Sequence, residues 1–393
     1  MLEPVTETIQ PFDAAKLRVA LVHDWLNGYR GGEKVLHVLC ELFPDAEIFT
    51  LFYKRGAIHP RIERHRIHAS WMNRLPKIHD NYRYLLPLFP AWADGLKLDA
   101  YDLVFSTSHC VAKSARARAG APHVCYCHTP MRYVWDRFED YFGDKPAPLR
   151  AVMGWEAKRL RAWDRRTARR PDRYIANSEF VRGRISKFYG LRAAEIDVIH
   201  PPVDLEAFPV ASAPAFDPGG NPYLVVSALV PYKRVDDAVA ACAGSGRPLT
   251  VAGTGPEAGR LREIASRHPA AKIQFTGFVP DGELPGLMRR HRALLFPGVE
   301  DFGITPVEAT ACGLPVIARA EGGVLDSVRD GLNGVLYRRA GPQGLLEGIE
   351  RFEARGAGRA GFDPELMRRH AEGFDRPRFA EKIRAAVTRA LSS

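Results

Sequence analysis

The sequence lacks a long hydrophobic run and contains few cysteines. Its longest apolar block near the N-terminus, Leu85–Trp92, is far shorter than the ~20 residues that span a bilayer. Residues 1–16 are acidic and contain proline, unlike the basic and then apolar pattern of a signal peptide. None of the six cysteines belongs to a Cys-x-x-Cys pair, which indicates a reduced protein. We therefore expect a cytoplasmic protein, with peripheral attachment to the inner membrane at most.

Two familiar nucleotide-binding motifs are missing or incomplete. No Gly-x4-Gly-Lys-Ser/Thr stretch occurs, so a P-loop nucleotidase is not supported. Gly253–Ala258 fits Gly-x-Gly-x-x-Ala in form, but a dinucleotide site needs an acidic residue about 20 positions further on. The strand-like run there, Ile273–Phe275, carries no carboxylate. We interpret Gly253 as part of a tight turn near a nucleotide, and we do not expect NAD binding.

What is present is a large, basic and globular chain. Its 393 residues are 46% hydrophobic, enough to bury more than one core, so two domains are expected. The formal net charge is +10, which favours an anionic ligand, an anionic membrane surface or nucleic acid. The charge alone does not choose among these partners.

Strand-like apolar runs alternate with helical patterns after residue 16. In the first half the runs are Leu17–Val22, Ile48–Phe52, Leu103–Ser106, His123–Cys127, Tyr174–Asn177 and Ile196–Ile199. In the second half they are Tyr223–Ser227, Leu249–Ala252, Ile273–Phe275, Ala293–Phe296, Val316–Ile317 and Val335–Tyr337. This alternation predicts two α/β domains, each built on a parallel sheet.

A stretch rich in Pro, Ala and Gly, residues 209–222, lies between the two series and marks the domain boundary. We predict a flexible tail at 1–16, an N-terminal domain at 17–203, a C-terminal domain at 204–375 and a last helix at 376–393. Two such domains facing one another would place their strand C-termini on opposite sides of a cleft, where ligands of α/β sheets bind.

The stretch Glu300–Glu308 carries the strongest functional signal, because it joins a strand to a helix and contains two carboxylates. Thr305 is a suitable N-cap, Pro306 suits the first helical position and Glu308 the third. Free amides near Gly303 and Ile304 would form an anion site. A ligand with both phosphate and hydroxyl groups, such as a sugar nucleotide, fits this pattern. The plainer interpretation is a capping box at Glu308 and a solvated acid at Glu300.

Other polar residues also follow predicted strands. Lys233 and Arg234 could grip a diphosphate leaving group, although a solvated pair at a helix start is the alternative. His128 could contact a sugar hydroxyl, although a lone histidine is more often structural. Gly31-Gly32 lie in a predicted loop before a helix at Glu33–Phe43. They could let the backbone approach a ligand, or could form a simple turn.

An ordered set of motifs decides between these interpretations. They are His-Asp-Trp at 23–25, Gly-Gly-Glu-Lys at 31–34, the stretch Cys127–Asp136, Asn-Ser-Glu-Phe-Val at 177–181, Pro-Pro-Val-Asp at 201–204, Val230–Asp236, Gly-Thr-Gly-Pro-Glu at 253–257, the Glu-x7-Glu span and Gly313–Ala318. Together they resemble glycosyltransferase family 4, the retaining enzymes of the GT-B fold. The likeness is strongest to bacterial mannosyltransferases of O-antigen and exopolysaccharide assembly.

The resemblance implies a fold and a set of roles. The fold would be two Rossmann-like domains facing across a cleft, with the C-terminal helix crossing back to the first domain. The catalytic residues would be His128, Lys233 and Glu300. The donor would be bound by Gly31, Gly32, Lys233, Arg234, Gly253, Glu300, Phe302, Gly303, Ile304, Thr305 and Glu308. Among these, Glu308 would hold the ribose hydroxyls and Glu300 the transferred sugar, with His128 near the anomeric carbon.

The resemblance also implies retaining transfer without a metal or other cofactor, and no Asp-x-Asp occurs in the chain. The expected donor is GDP-mannose and the expected acceptor a glycan or lipid-linked glycan. The chain departs from the family at Ala228, where an arginine is usual, and Arg234 is the candidate replacement. The alternatives are a UDP-sugar-dependent transferase, a sugar-phosphate synthase of the same fold, and a basic nucleic-acid-binding protein. No nucleic-acid module is recognisable, so nucleic acid is not an expected partner.

Two basic regions of the first domain suggest contact with an anionic membrane. The segment from Arg61 to Trp92 combines cations with aromatic and apolar residues. A second cluster, Lys158 to Arg170, places Arg161, Arg165 and Arg169 on one helical face. For this second cluster a solvated helix face is an equal alternative.

Overall fold

The computed structural model describes residues 17–143, 145–210, 221–355 and 358–392. The chain divides into two compact units. Unit 1 is Met1–Pro202 together with Pro377–Ser393, and unit 2 is Val203–Arg376. The predicted tail at 1–16, and most of the Pro- and Gly-rich stretch at 209–222, lie outside the described residues.

Unit 1 is built on a seven-stranded parallel sheet with the order β3-β2-β1-β4-β5-β6-β7. Its strands are β1 (Val19–Leu26), β2 (Glu47–Tyr53), β3 (Ile67–Ala69), β4 (Leu103–Ser108), β5 (His123–Cys127), β6 (Arg173–Ala176) and β7 (Ile196–Val198). In the central strand, Leu21 lies opposite Ile48 on one side and Phe105 on the other. Strands β4 and β5 are buried along their whole length, as expected for parallel strands covered on both faces.

Helices connect these strands. They are α1 (Gly31–Leu42), α2 (Pro60–Glu63), α3 (Ile78–Asn81), α4 (Phe89–Asp94), α5 (Arg132–Trp135), α6 (Phe138–Phe142), α7 (Ala147–Thr167) and α8 (Glu179–Tyr189). The apolar face of α1, including Val35 and Leu39, packs in one cluster with Leu21 and Phe105 of the sheet. The helix therefore forms because a 3.6-residue apolar period meets an apolar sheet face.

Unit 2 has a six-stranded parallel sheet with the order β10-β9-β8-β11-β12-β13. Its strands are β8 (Tyr223–Val226), β9 (Leu249–Ala252), β10 (Ile273–Gly277), β11 (Leu294–Phe296), β12 (Val316–Arg319) and β13 (Gly334–Tyr337). Its helices are α9 (Val235–Gly244), α10 (Ala258–Ser266), α11 (Leu284–Arg289), α12 (Ile304–Ala311), α13 (Val324–Ser327), α14 (Pro342–Ala354) and α15 (Pro364–Ala371). Leu294 of β11 lies opposite Leu224 and Val316, at the centre of this sheet.

The last helix, α16 (Arg376–Leu391), packs in unit 1. Phe379, Ile383 and Val387 are buried in the same cluster as the β1 and α1 side chains. The Phe379 ring lies 5.8 Å from the ring of Tyr126 on β5. The predicted fold class is therefore confirmed: two Rossmann-like α/β domains, with the C-terminal helix returned to the first.

Candidate functional site

The loops that follow the strands of unit 2 are tied together at one edge of the sheet. The amide of Leu229, after β8, donates to the Thr254 carbonyl at 2.9 Å. The amide of Gly253, after β9, donates to the Gly277 carbonyl at 2.7 Å. The amide of Gly323, after β12, donates to the Glu300 carbonyl at 2.9 Å. This is the carboxyl edge of a parallel sheet, where ligands of such folds bind.

Lys233 and Glu300 meet at this edge. Lys233 ends a short 3-10 turn, Pro231–Lys233, and its backbone packs on Gly298. A Cβ atom at Gly298 would lie 2.8 Å from the Lys233 carbonyl oxygen, so the close approach depends on glycine. The Lys233 ammonium contacts the Glu300 carboxylate, and these side chains are 17% and 18% exposed. A cation and an acid that were predicted separately thus form one partly accessible pair.

Arg234 is held on its own helix. Its backbone is left-handed, with φ +53°, and it is the N-cap of α9. The guanidinium donates to both carboxylate oxygens of Asp237, at 2.7 and 3.1 Å, and lies 3.5 Å from Asp236. Its predicted role as a replacement for the cation absent at Ala228 stays a prediction.

Gly253 packs against the backbone of the loop that follows β8. Its φ is +143°, and a Cβ atom there would lie 1.8 Å from the Ser227 carbonyl oxygen. Gly255 likewise packs against the Leu229 backbone, where a Cβ atom would lie 2.3 Å from the carbonyl oxygen. The tight turn predicted at this position is present, and it fixes the loop that leads to Lys233.

The helix after Glu300 begins earlier than predicted. Gly303 is the N-cap of α12, with φ +86°, and Ile304 is the first helical residue. Thr305 and Pro306 are therefore the second and third helical residues, and the N-cap itself, a glycine, has no side chain to cap the helix. The predicted N-cap at Thr305 is wrong, because the positive φ that starts the helix is one that glycine adopts readily. A helix leaves its first amides without partners inside the helix, which puts those of Ile304 and Thr305 at the end of the Glu300 loop.

The revised start changes the interpretation of Glu308. A capping box would need Glu308 at the third helical position, but it is the fifth. Its side chain is 4% exposed, near the start of α12. The predicted capping box between Thr305 and Glu308 is therefore wrong.

Gly322 and Gly323 are site residues that the sequence analysis missed. A Cβ atom at Gly323 would lie 2.0 Å from the Asp301 carbonyl oxygen and 2.4 Å from the Phe302 Cα atom. A Cβ atom at Gly322 would lie 2.7 Å from the Glu300 carbonyl oxygen. These two glycines let the loop after β12 press on the Glu300 loop and fix its backbone. A Gly-Gly pair in the loop that follows the predicted strand Val316–Ile317 is the signal that could have identified them.

In unit 1, Asp24 organises the corresponding edge of the sheet. Its buried carboxylate accepts hydrogen bonds from four backbone amides, those of His109, Cys110, Val111 and Ala112, at 2.7 to 2.8 Å. The residue ends the apolar part of β1, and the four amides belong to the loop after β4. The four amides replace the hydrogen bonds to water that the carboxylate loses on burial. Asp24 therefore fixes the backbone position of His109.

Three histidines lie around the start of α1. A Cβ atom at Gly32 would lie 3.5 Å from His128 Nε2 and 3.7 Å from His23 Cε1. The ring of His109 lies 6.3 Å from the rings of both His23 and His128. Nε2 of His128 is buried and has no hydrogen-bond partner in the described structure. Gly31 and Gly32 are the first residues of α1, so they belong to a helix and not to the preceding loop as predicted.

The charge states of this cluster follow from its surroundings. Burial lowers the pKa of His128 well below its usual 6.5, and the neighbouring His109 and His23 lower it further. Burial raises the pKa of Glu33, but His23, whose Nε2 lies 3.8 Å from Glu33 Oε1, and nearby backbone amides lower it more. The net shift of the Glu33 pKa is downwards. Near neutral pH His128 is therefore uncharged, and its Nε2 can donate or accept one hydrogen bond.

The described residues contain neither a cluster of metal ligands nor a membrane-spanning helix. Within the described residues, no three His, Cys, Asp or Glu side chains form a group that could hold a metal ion. Independence from metals nevertheless stays a prediction. No helix in the described ranges has both the length and the apolar character needed to cross a bilayer.

Both halves of the chain match family models. Residues 29–207 match Glycosyltransferase Family 4, and residues 212–364 match Glycosyl transferases group 1. D-inositol 3-phosphate glycosyltransferase of Nocardiopsis dassonvillei is 32% identical over 67% of this chain and 64% of its own length. The namesake from Streptomyces bingchenggensis is 30% identical over 72% of this chain and 65% of its own length. The chain thus spans just under two thirds of these relatives.

Solved structures share the fold over nearly the whole chain. A crystal structure of HepE from Anabaena in complex with UDP gives a TM-score of 0.68 at 18% identity, covering 94% of this chain and 99% of that one. WaaG, a glycosyltransferase involved in lipopolysaccharide biosynthesis, gives 0.66 at 16% identity, with 94% and 99% covered. At identities this low the likeness establishes the fold alone.

Proposed function

We propose that this chain, a member of the glycosyltransferase family 4 and glycosyl transferases group 1 families, transfers a hexose from a nucleoside-diphosphate sugar to a glycan or lipid-linked glycan with retention of anomeric configuration. The observation that carries the proposal is the Lys233–Glu300 pair beside the start of α12. A cation, a carboxylate and helix amides that have no partner within the helix are what a diphosphate and a sugar hydroxyl require together.

In the proposed reaction, the bond between the anomeric carbon and the diphosphate oxygen breaks, and the acceptor hydroxyl oxygen bonds to that carbon on the same face. The leaving phosphate oxygen takes the hydroxyl proton. Lys233 and the first amides of α12 stabilise the negative charge that develops on the leaving group. Glu300 holds hydroxyls of the transferred sugar, Glu308 holds the ribose, and His128 contacts the sugar near the reacting carbon. The reaction needs no metal ion.

The sequence resemblance supports GDP-mannose as the donor and bacterial surface-polysaccharide synthesis as the context. The UDP in the HepE structure supports a UDP-sugar as the second donor candidate. The name that the relatives from Nocardiopsis and Streptomyces carry supports a soluble phosphorylated acceptor as the second acceptor candidate. These choices do not alter the proposed roles of Lys233 and Glu300.

A donor screen tests the proposal directly. GDP-mannose, UDP-glucose and UDP-N-acetylglucosamine are compared by thermal shift, because a ligand of the native state raises its apparent stability. The stabilising donor is then incubated with EDTA and with either a lipid-linked glycan or inositol phosphate, and the product linkage is read by NMR. We expect an α-linked product in EDTA. An inverted linkage or an absolute Mg²⁺ requirement contradicts the mechanism, and salt-sensitive binding to random oligonucleotides without any donor binding favours the nucleic-acid alternative.

A further inference from the structure

The exposed large apolar side chains of unit 1 are confined to two short segments. Among the described residues they are Trp71, Leu75, Tyr84, Leu88, Tyr141, Leu149, Val152 and Trp155. The first four lie in 71–88 and the other four in 141–155. Trp71 is 63% exposed, Tyr84 80% and Trp155 66%, values that are unusual for side chains of this size. We call the described residues of these two segments, together with Lys158, the aromatic patch.

The two segments rest on one hydrophobic cluster. Met72 and Tyr82 from the first segment are buried in it, as are Ala157 and Leu160 of α7 just beyond the second. Arg159 of α7 donates to the Pro87 carbonyl at 3.1 Å, which joins the helix to the first segment. The predicted apolar block Leu85–Trp92 contributes mainly to this cluster, since Leu85 and Trp92 pack against it. The exposed aromatic residues therefore lie in the same segments as the buried residues of this cluster.

The start of α7 is the most unusual part of the patch. Every residue from Ala147 to Val152 is exposed, although the sequence there is mostly apolar. No acidic residue occurs in the helix before Glu156. A helix start in which five of six residues are apolar is normally buried, so this exposed one suits an apolar or interfacial surrounding.

Exposed cations lie in or next to the same two segments of the sequence. Arg74, Lys77, Arg83, Arg150 and Lys158 are all exposed. None of these five makes an ion pair with any acid in the described part of the chain. By contrast, the arginine face predicted from 161 to 169 is largely engaged within unit 1. Arg161 contacts the Val134 carbonyl, and Arg165 donates to the Phe188 carbonyl at 3.3 Å and lies over the Trp135 ring.

We propose that the aromatic patch docks unit 1 onto the headgroup region of an anionic phospholipid bilayer. Trp and Tyr prefer the boundary between water and hydrocarbon, where an apolar ring and a polar edge are both accommodated. Unpaired Lys and Arg beside them attract anionic headgroups, and the attraction falls off within a Debye length. The exposed start of α7 inserts its apolar side chains at the headgroup level. This docking does not depend on the proposed transfer reaction.

Vesicle sedimentation with the full chain tests the docking. We expect binding to vesicles of phosphatidylcholine with added phosphatidylglycerol, little binding to phosphatidylcholine alone, and release at high salt. The double variant Val152→Ser/Trp155→Ser should bind about tenfold more weakly, since an exposed apolar contact is lost. The triple variant Arg74→Glu/Lys77→Glu/Arg83→Glu should lose roughly a hundredfold in partitioning. All changed positions are exposed, so melting temperatures should match that of the unmodified protein.

Matched controls separate the patch from general basicity. Arg166→Glu/Arg169→Glu changes exposed cations at the end of α7 and just beyond it, outside the patch. Leu366→Ser removes an exposed apolar residue of unit 2. Both controls should bind vesicles nearly as well as the unmodified chain. Fluorescence quenching by brominated lipid should fall in Trp155→Phe. Vesicle binding that is unchanged in the serine variant overturns the proposal. So does a concentration-dependent dimer in sedimentation velocity that the serine variant abolishes, because the patch would then join two copies of the chain.

Discussion

The Lys233 ammonium contacts the Glu300 carboxylate across two loops that follow neighbouring strands of unit 2. Each side chain therefore holds the other in place, and the pair carries no net charge. A diphosphate that binds here must share Lys233 with Glu300, while a sugar hydroxyl can donate to the same carboxylate. The pair thus links recognition of the phosphate to recognition of the sugar.

Replacing Lys233 should remove most of the proposed activity. For Lys233→Ala we expect kcat/KM for the donor to fall about 100- to 1,000-fold, the range seen when a group that stabilises a leaving anion is deleted. Lys272, exposed at the edge of the sheet just before β10, provides the matched control, and Lys272→Ala should leave the kinetics unchanged. Equal losses in the two variants would show that general charge, and not the position of Lys233, supports the reaction.

The second prediction separates ligand binding from capping at α12. Glu308→Gln should weaken nucleotide-sugar affinity about tenfold, since hydrogen bonds to a charged acceptor contribute about 1.5–3 kcal/mol. Thr305→Ala should not change the free energy of unfolding, whereas loss of a true N-cap costs about 1 kcal/mol. Urea titration measures the stability of Thr305→Ala, and calorimetry measures the nucleotide-sugar affinity of Glu308→Gln. A destabilised Thr305→Ala protein, with full donor affinity in Glu308→Gln, would restore the capping interpretation.

Both helix starts in the candidate sites were placed too late from the sequence, and for the same physical reason. Gly31 and Gly32 are good turn residues, so the helix was expected to begin at Glu33. Gly303 is also a turn residue, and Thr305 has the side chain of a typical N-cap. A glycine can occupy a helical first turn or an N-cap when tertiary packing supports it, and local propensity does not report that packing.

The close contact of Gly323 with the Glu300 loop predicts that an alanine here displaces Glu300. Gly323→Ala must push its Cβ atom against the Asp301 carbonyl, 2.0 Å away, and so displace the backbone that carries Glu300. We expect at least a tenfold loss of donor affinity, together with lower stability. Gly259→Ala is the control, because a Cβ atom at Gly259 in α10 meets nothing within 4 Å. That variant should be more stable, by about 0.5–1 kcal/mol, and should keep full affinity.

Asp24 gives a prediction about unit 1. Asn in its place offers one carbonyl oxygen to four amide donors and turns an NH2 group towards some of them. We expect Asp24→Asn to cost about 2–4 kcal/mol of stability, because buried donors are left without acceptors. Asp102→Asn is the control, since its carboxylate pairs with Arg18 and Arg118 at the surface, and its melting temperature should barely change. Similar thermal shifts in both variants would contradict the role assigned to Asp24.

His123 makes stability depend on pH. It is fully buried on β5, with Nε2 2.8 Å from Ser106 Oγ, and burial lowers its pKa from 6.5 to about 3, with Lys113 and Arg170 adding to the shift. The unfolded chain therefore binds the extra proton first, so stability falls as pH drops below about 6.5, by about 1.4 kcal/mol per unit. The His123→Asn variant should lose this part of the slope. Urea titrations of both proteins between pH 5 and 7.5 give the free energy of unfolding as a function of pH. Parallel curves would show that His123 does not cause the pH dependence of stability.

The strands were more predictable than the site geometry. His123–Cys127 and Leu249–Ala252 were located to the residue, because mostly apolar runs in buried parallel strands carry a strong signal. Strand β3, Ile67–Ala69, was missed because it lies at the sheet edge, is only half buried and has no apolar run. The role of Asp24 could not be foreseen either, since its partners lie more than 80 residues away in sequence. Such contacts depend on which strands become neighbours, and that is decided by the whole sheet.

The place of α16 in the unit 1 core has a consequence for how the chain is made. A ribosome releases residues in order, and domains generally fold as they emerge, the N-terminal one first. Here Phe379, Ile383 and Val387 are synthesised last but fill the cluster around β1 and α1. Unit 2 is continuous from Val203 to Arg376 and can close earlier. The half of the protein that is translated first is thus completed last, and a stop codon near the end would damage the core built at the beginning.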